Sequence, residues 1–307
     1  MRAITYPRYG DPSVLALTDL PMPKVAPGAA LVRVHHGAVN PVDWKVMAGG
    51  LDPLMDVVFP VIPGWDVSGV VEAVGPDTPE FRVGDRVAAY ARKDVVQGGT
   101  FAEFVAVPVT SLAHVPDDVP LDVAAALPLT GLTALRALEA VEPHVGDTVL
   151  IHAASGGVGF VASQLVLSTG ARVIGTASPR NFDKLRAIGV EPVAHGEGLV
   201  GDVKGLAPAG VDAVIDLVGG VLEQTLAVLT QGGRHVSIAD PRVGAQGGRW
   251  LWVRPDGPRL AGLLDLVRDG AVRVDLGRHF PLDQVPEAFA LSMAGTTSGK
   301  ILIDLMG

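Results

Sequence analysis

The sequence predicts an α/β protein of two domains, a doubly wound parallel sheet preceded by a β-rich domain that forms an antiparallel sheet or a partly closed barrel. Three observations carry this expectation. The chain has 307 residues, enough for about two ordinary domains, each able to bury its own core. Short runs of Val and Ala broken by Gly and Pro fill residues 1–117. Beyond them, continuous apolar runs alternate with segments of helical period, the spacing of a parallel sheet covered by helices on both faces.

Taken in order, ALVRVHHGAV, VSGVVEAVG, DRVAAY and FAEFVAV read as short strands. At VPDDVPLDVAAALPLTGLTALRALEAV apolar residues begin to recur at helical spacing behind a Pro-rich connector, which places a domain boundary after residue 117. Over 118–256, TVLIHAA is a strand and GGVGFVASQLVLSTG a helix ended by Gly170. RVIGTA is a second strand, and SPRNFDKLRAIG a helix with Ser178 as cap and Pro179 at its first position. VDAVIDLV and RHVSIA are buried strands flanking the helix GVLEQTLAVLT. Over 257–307, RLAGLLDLVRDG and DQVPEAFALSMAG are amphipathic helices and KILIDL a closing strand. Spacing alone does not choose whether this tail extends the second domain or returns to the first.

Composition narrows the function. Hydrophobic residues at 48% and charged residues at 19% fit a folded globular protein and exclude a disordered one. No apolar run approaches the roughly 18 residues of a membrane span, and MRAITYPRYGDPSVL lacks the layout of a signal peptide, so a cytoplasmic location without a membrane partner is expected. A net charge of -9 without clustered Lys and Arg argues against nucleic acid as a partner. The absence of cysteine removes disulfides, thiol nucleophiles and thiolate metal ligands together.

TVLIHAASGGVG, Thr148 to Gly159, is a strand entering a Gly-rich turn that opens a helix. Backbone N–H groups and the helix N-terminus of such a turn suit a pyrophosphate. Against the G-x-G-x-x-G template, Ala154 replaces the first Gly while Gly156 and Gly159 fit. The following strand ends in Gly175, Thr176, Ala177 and Ser178, followed by Arg180 and Lys184, with no Asp or Glu to accept from a ribose 2′-hydroxyl. Small polar residues and an Arg accommodate a 2′-phosphate, so NADP(H) is favoured over NAD(H).

VHHGAVNPVDWK, Val34 to Lys45, gathers polar side chains and raises the question of a metal. On a strand His35 and His36 project to opposite faces, leaving only Asp43 and Asp66 as helpers, too few convergent donors for a catalytic zinc. No catalytic metal is expected.

The segments NPVDWK, PVIPGWDVSGVVEAVG, FRVGDRV, GGTFAEFVAVP, LPLTGLTALRAL, HAASGGVG, DAVIDLVGG and SGKILIDL occur in the order found in the medium-chain dehydrogenase/reductases, and the chain resembles their zinc-independent quinone oxidoreductase-like branch over nearly its whole length. The resemblance implies a GroES-like partly closed β-barrel over 1–117, a Rossmann NADP-binding domain over 118–256, and a return segment over 257–307 that completes the first domain. Zinc-dependent members use an early Cys, a His-Glu pair in a GHE segment and a later Cys. Here NPVD, GWDVSG and AALPLTG stand in those places, with Trp65 replacing the His.

The roles of individual residues follow from the resemblance. The Asn40 amide would hydrogen-bond the nicotinamide or a substrate carbonyl, while the proton would come from water or from a group such as Lys45. Thr130 would hold the nicotinamide carboxamide, and Ser155, Gly156, Gly157 and Val158 would line the pyrophosphate. Ser178, Arg180 and Asn181 would face the 2′-phosphate. Val218 and Gly219 would flank the adenosine or ribose, Ser237, Ile238 and Ala239 would pass near the nicotinamide, and Lys300 would reach the cofactor unless it is plain surface. Without metal, hydride transfer suits an electron-poor acceptor whose developing charge is delocalised. A quinone or α,β-unsaturated carbonyl compound meets that condition. The alternative is a non-catalytic NADPH-binding sensor or structural protein. Homodimerisation through the nucleotide domain's edge strand is expected, with GGRWLWVRP as interface or core.

Overall fold

The tail returns to the N-terminal part of the chain. In the computed structural model, which describes residues 1–306, one unit comprises Met1–Leu132 with Arg254 onward and the other Thr133–Val253.

In the first unit β1 (Arg2–Thr5) and β2 (Ala16–Asp19) form an antiparallel ribbon. The long strand β3 (Ala29–Val39) leads directly into helix α1 (Pro41–Met47), where Pro41 at the first position needs no amide partner. β4 (Asp66–Val74), β5 (Arg86–Tyr90), β6 (Phe104–Pro108) and β7 (Leu112–His114) follow, then helices α2 (Leu121–Ala126) and α3 (Pro128–Val141).

The second unit is built on six parallel strands: β8 (Thr148–Ile151), β9 (Arg172–Ala177), β10 (Glu191–Ala194), β11 (Val211–Asp216), β12 (Leu229–Ser237) and β13 (Arg249–Trp250). Helices α4 (Gly157–Ser168), α5 (Phe182–Arg186), α6 (Leu199–Leu206) and α7 (Leu222–Val228) connect them. The spatial order β10-β9-β8-β11-β12-β13 reverses between β8 and β11. This is the topological switch point of a Rossmann sheet, beside which dinucleotides bind at the carboxyl ends of the strands. Leu150, Ile174, Leu199, Val203, Val211 and Val214 pack together in its core, each burial stabilising by roughly 1.5–3 kcal/mol relative to exposure.

Helix α8 (Gly257–Arg268), β14 (Leu276–Pro281), α9 (Val285–Ala294) and β15 (Lys300–Asp304) complete the first unit. Its main sheet has the order β14-β15-β3-β4-β5-β7. β3 is its spine: one edge pairs with β4, while the other pairs with β6 through Ala29–Arg33 and with β15 through His36–Val39.

Two expectations are corrected. The division falls inside α3, not after residue 117. Helix α2 packs Ala125 and Ala126 against Ala38 and Leu302 of the first unit's sheet, and helical period reveals a helix without revealing which sheet buries it. His35 and His36 are also not separated by strand alternation. β3 shifts register against β4 between Val34 and His36, and the two rings stand with centroids 6.5 Å apart.

Candidate functional site

In the second unit β8 ends at Ile151 and the chain turns through Ala153, a left-handed residue with φ 55°. Its amide donates to Thr176 Oγ1 and that of Ala154 to the Thr176 carbonyl, each at 2.9 Å, fixing the turn to the end of β9. Ala154 is fully buried, and a Cβ on Gly175 would lie 2.6 Å from its methyl group. Methyl and glycine thus fit as a pair, which is how Ala is accommodated where the motif has its first Gly. A Cβ on Gly159 would lie 2.3 Å from the Ala153 carbonyl oxygen, so this Gly serves the close packing of helix on turn. Gly156 is exposed, and a Cβ there would lie 3.3 Å from the same oxygen. The amides of Gly157 and Val158 open the first turn of α4, where an α-helix has no carbonyl of its own to offer them and an anion can be bound.

The residues expected to recognise a 2′-phosphate gather at this loop. Asn181 Nδ2 donates to Ser155 Oγ at 3.2 Å, and Lys184 Nζ donates to the Ser155 carbonyl at 3.2 Å while lying 4.6 Å from the Phe160 ring centroid. Arg180 is exposed beside them. Ser178 precedes a 3-10 turn, but its hydroxyl does not cap it; it lies 3.4 Å from His195 Nε2. The helix proper begins only at Phe182.

At the ends of β11 and β12, Asp216 organises the other predicted cofactor residues. Its Oδ1 accepts from the amides of Val218 and Gly219, both at 2.9 Å, and its Oδ2 from Ser237 Oγ at 2.7 Å. Ser237 Oγ in turn accepts from the amides of Ala239 and Asp240. Ser237 is wholly buried, so its hydroxyl holds two loops together, while Ile238 is half-buried and Ala239 and Val218 are exposed. Behind them His152 is buried against Thr225 Oγ1 at 3.2 Å, and burial pushes its imidazole down to about 4, leaving it neutral. Sequence reasoning missed Asp216, whose signal was an acidic residue closing the apolar run Ala213–Ile215.

In the first unit four polar side chains meet in the interior. Asn40, Asp43, Asp66 and Lys300 are all buried. The β15–β3 register sets Ile301 opposite Val39, which brings Lys300 beside Asn40 at the end of β3. Lys300 Nζ donates to Asn40 Oδ1 at 2.6 Å and to the Val39 carbonyl at 2.9 Å, and stands 3.8 Å from Asp66 Oδ2. Asn40 Nδ2 donates to Asp66 Oδ2 at 2.8 Å, and the Leu129 amide at the start of α3 donates to Asp66 Oδ1 at 2.9 Å. The Asn40 amide nitrogen of the backbone donates to Asp43 Oδ2 at 2.7 Å.

The protonation of this cluster follows from its charges. Burial pushes the Asp66 carboxyl up to about 6, with Lys300, Asn40 and the Leu129 amide holding it from rising further. Burial raises Asp43 to about 8, aided by the neighbouring Asp66. Lys300 is lowered by burial and supported by the two carboxylates. At neutral pH one carboxyl retains its proton, that of Asp43, and Asp66 pairs with the ammonium. Asp43 Oδ1 and the Tyr6 hydroxyl are buried without a hydrogen-bond partner.

The structure places four of the predicted residues as follows. Lys300 is neither surface nor a group reaching outward; it is the cation of the buried cluster. The Asn40 side chain is engaged at both its oxygen and its nitrogen. Lys45 is exposed on α1, with Nζ 5.6 Å from the Trp44 ring centroid, and does not join the cluster. Thr130 is buried and donates to the Ala126 carbonyl at 2.7 Å, the back-bonding that satisfies a helix hydroxyl. As a seat for catalytic zinc the donor set does not fit: an ammonium occupies its centre, and neither imidazole nor thiolate is present among Asn40, Asp43, Asp66 and Lys300.

Known proteins agree with this architecture. Residues 26–117 match the alcohol dehydrogenase GroES-like domain and residues 188–303 the zinc-binding dehydrogenase family. A chloroplastic quinone-oxidoreductase of Triphysaria versicolor is 30% identical over 99% of this chain and 98% of its own length. An NADPH-dependent alkenal/one oxidoreductase of Arabidopsis thaliana is 30% identical over 99% of this chain and 79% of its own. The solved quinone oxidoreductase of Coxiella burnetii superposes with a TM-score of 0.89 at 33% identity, covering 100% of this chain and 99% of that one. The chain belongs to the medium-chain dehydrogenase/reductase superfamily, a family of oxidoreductases. Quinone oxidoreductases are among its relatives within that superfamily.

Proposed function

We propose that the protein transfers hydride from NADPH to a quinone or an α,β-unsaturated carbonyl compound without a catalytic metal. The observation that carries the metal-free part is the buried Lys300 ammonium bonded to Asn40, in the very segment where zinc-dependent relatives keep a ligand. A conjugated acceptor delocalises the charge it gains and so needs no Lewis acid. The alkenal/one and quinone activities of the relatives support this substrate class.

When bound, the nicotinamide cofactor supplies the hydride. Gly156, Gly157, Val158 and Ser155 cradle its pyrophosphate through backbone amides. Ser178, Arg180 and Asn181 take the 2′-phosphate, supported by the lack of any acidic side chain at the end of β9. Val218, Gly219, Ile238 and Ala239 bound the rest of the cofactor, held in place by Asp216 and Ser237. Solvent protonates the reduced product, because Asn40 and Lys300 are already engaged and Lys45 stays solvated. The cytoplasm is the proposed location. The proposed homodimer uses the outer strand β13, where Trp250 is 44% exposed.

One observation favours the second reading, NADPH binding without turnover: the polar candidates Asn40, Thr130 and Lys300 are all committed to the fold. A single assay separates the two. NADPH oxidation is measured against quinones, enones and unconjugated aldehydes, with and without EDTA. Turnover of conjugated acceptors alone, unchanged by EDTA, is expected. Cofactor binding with no turnover of any acceptor selects the second reading, and loss of turnover in EDTA rejects the metal-free mechanism.

A further inference from the structure

The geometry points to a surface site for a divalent transition metal, formed by His36, His279 and Asp304 and separate from the buried cluster around Lys300. Three strands build it. The β15–β3 register sets Asp304 directly opposite His36, and the parallel β14–β15 register places Pro281 beside Asp304 and His279 beside Leu302, on the same face. His36 Nδ1 is 2.8 Å and His279 Nδ1 3.0 Å from the same oxygen, Asp304 Oδ1. The three ligand atoms all lie within 4.8 Å of one another.

That spacing suits an ion. Metal–ligand bonds of about 2.0–2.2 Å in tetrahedral array hold their donor atoms roughly 3.3 Å apart, so a small outward shift of each ring admits the metal. Two imidazole nitrogens and one carboxylate select zinc, cobalt or nickel over calcium or magnesium, which demand more oxygen ligands. Side-chain exposures of 24% for His36, 34% for Asp304 and 37% for His279 leave an open side for entry and for water as a further ligand. The competing arrangement is a metal-free network in which both imidazoles hydrogen-bond one carboxylate. An ion here would clip β3 to the two strands of the return segment, joining chain ends that are 268 residues apart at His36 and Asp304. Its place is on stability and the seating of the return segment, independent of the proposed reaction.

The test is Zn²⁺ titration of the full chain after EDTA treatment and dialysis, read by calorimetry, with Co²⁺ absorption as a second probe of coordination. Saturable binding of one ion per chain is expected, with a rise in melting temperature on adding Zn²⁺. His279→Gln and His36→Gln should each weaken binding at least about tenfold, about 1.4 kcal/mol, and abolish the Zn²⁺-induced rise. His144→Gln, at an exposed histidine elsewhere, should change neither. Both glutamine variants keep polar surface side chains, and their melting without metal verifies the fold; Asp304→Asn adds a third arm. Weak, multiple binding that is the same in all variants means an adventitious ion only and overturns the proposal, as does the absence of saturable binding.

Discussion

The two polar centres of this protein are assembled in opposite ways. The glycine loop of the second unit is local: its turn, helix and recognising side chains all fall between Ile151 and Lys184, and each contact closes over a short stretch of chain. The buried cluster of the first unit is non-local: the Lys300–Asn40 hydrogen bond spans 260 residues of sequence. The loop opens a helix whose first-turn amides suit an anion. The cluster turns its groups on one another and neutralises them inside the core. A local turn can present polar groups to a ligand because the adjacent helix and strands already support its backbone. A long-range cluster of charges must first satisfy itself, because unpaired charge in the interior costs several kcal/mol.

The contrast can be broken at four points. The largest effect is expected from Lys300→Met, which leaves Asp66 and Asn40 without their cation and should destabilise the protein by ~3–5 kcal/mol in chemical denaturation. The double variant Lys300→Met/Asp66→Asn should recover part of that loss; no recovery would mean that charge pairing is not what the cluster supplies.

Next, Gly159→Ala places a methyl group against the Ala153 carbonyl and should cost ~1–3 kcal/mol of stability. Gly156→Leu, whose Cβ would lie 3.3 Å from the same oxygen against 2.3 Å at Gly159, should cost less stability than Gly159→Ala, while weakening NADPH binding at least about tenfold by calorimetry. If both variants behave alike, packing and anion approach are not divided between the two glycines as described.

Arg180→Ala should raise the KM for NADPH about tenfold, about 1.4 kcal/mol, while leaving that for NADH unchanged. Equal effects on both cofactors would remove Arg180 from recognition of the 2′-phosphate.

The last test is a pH dependence. Asp43 is raised to about 8 in the folded protein by burial, so the folded state holds a proton that the unfolded chain releases at ordinary carboxylate values. Its contribution is therefore complete below the unfolded value and is lost as pH rises through about 8. Stability measured by denaturation should fall from about pH 4 to about pH 8, the window between an ordinary carboxylate value and that of the buried group, and Asp43→Asn, which is neutral throughout, should flatten the profile. A steeper profile in the variant would place the titrating group elsewhere.

Much of this was readable in advance where the determinants are local. TVLIHAASGGVG carries its strand, turn and helix start in consecutive residues, so the loop's place at a strand end followed from periodicity and glycine spacing. The strand β10, helix α6 and short strands β13 and β14 were not picked out, because strands of two to six residues and a glycine-containing helix give little period to read. Lys300 was legible as a strand-start lysine and illegible as a buried cation. Its burial depends on β15 pairing with β3 in one register, and a shift of one residue would send it to the opposite face. The same holds for His36, judged against its neighbour His35 when its real partners are Asp304 and His279.

The sequence by itself determined the two kinds of sheet, the glycine turn at the end of β8, the absence of thiolates, and membership in an oxidoreductase superfamily. These rest on composition and on short-range pattern, which the chain carries wherever it lies. Only the tertiary structure decided that α2 belongs to the first unit, that Asp216 ties the loops after β11 and β12, that Lys300 pairs with Asp66 while Asn40 bonds both, and that His36 faces two residues of the return segment. Each of those depends on which strands pair and in what register, and that choice is made by the burial of whole faces at once, not by any one stretch of residues.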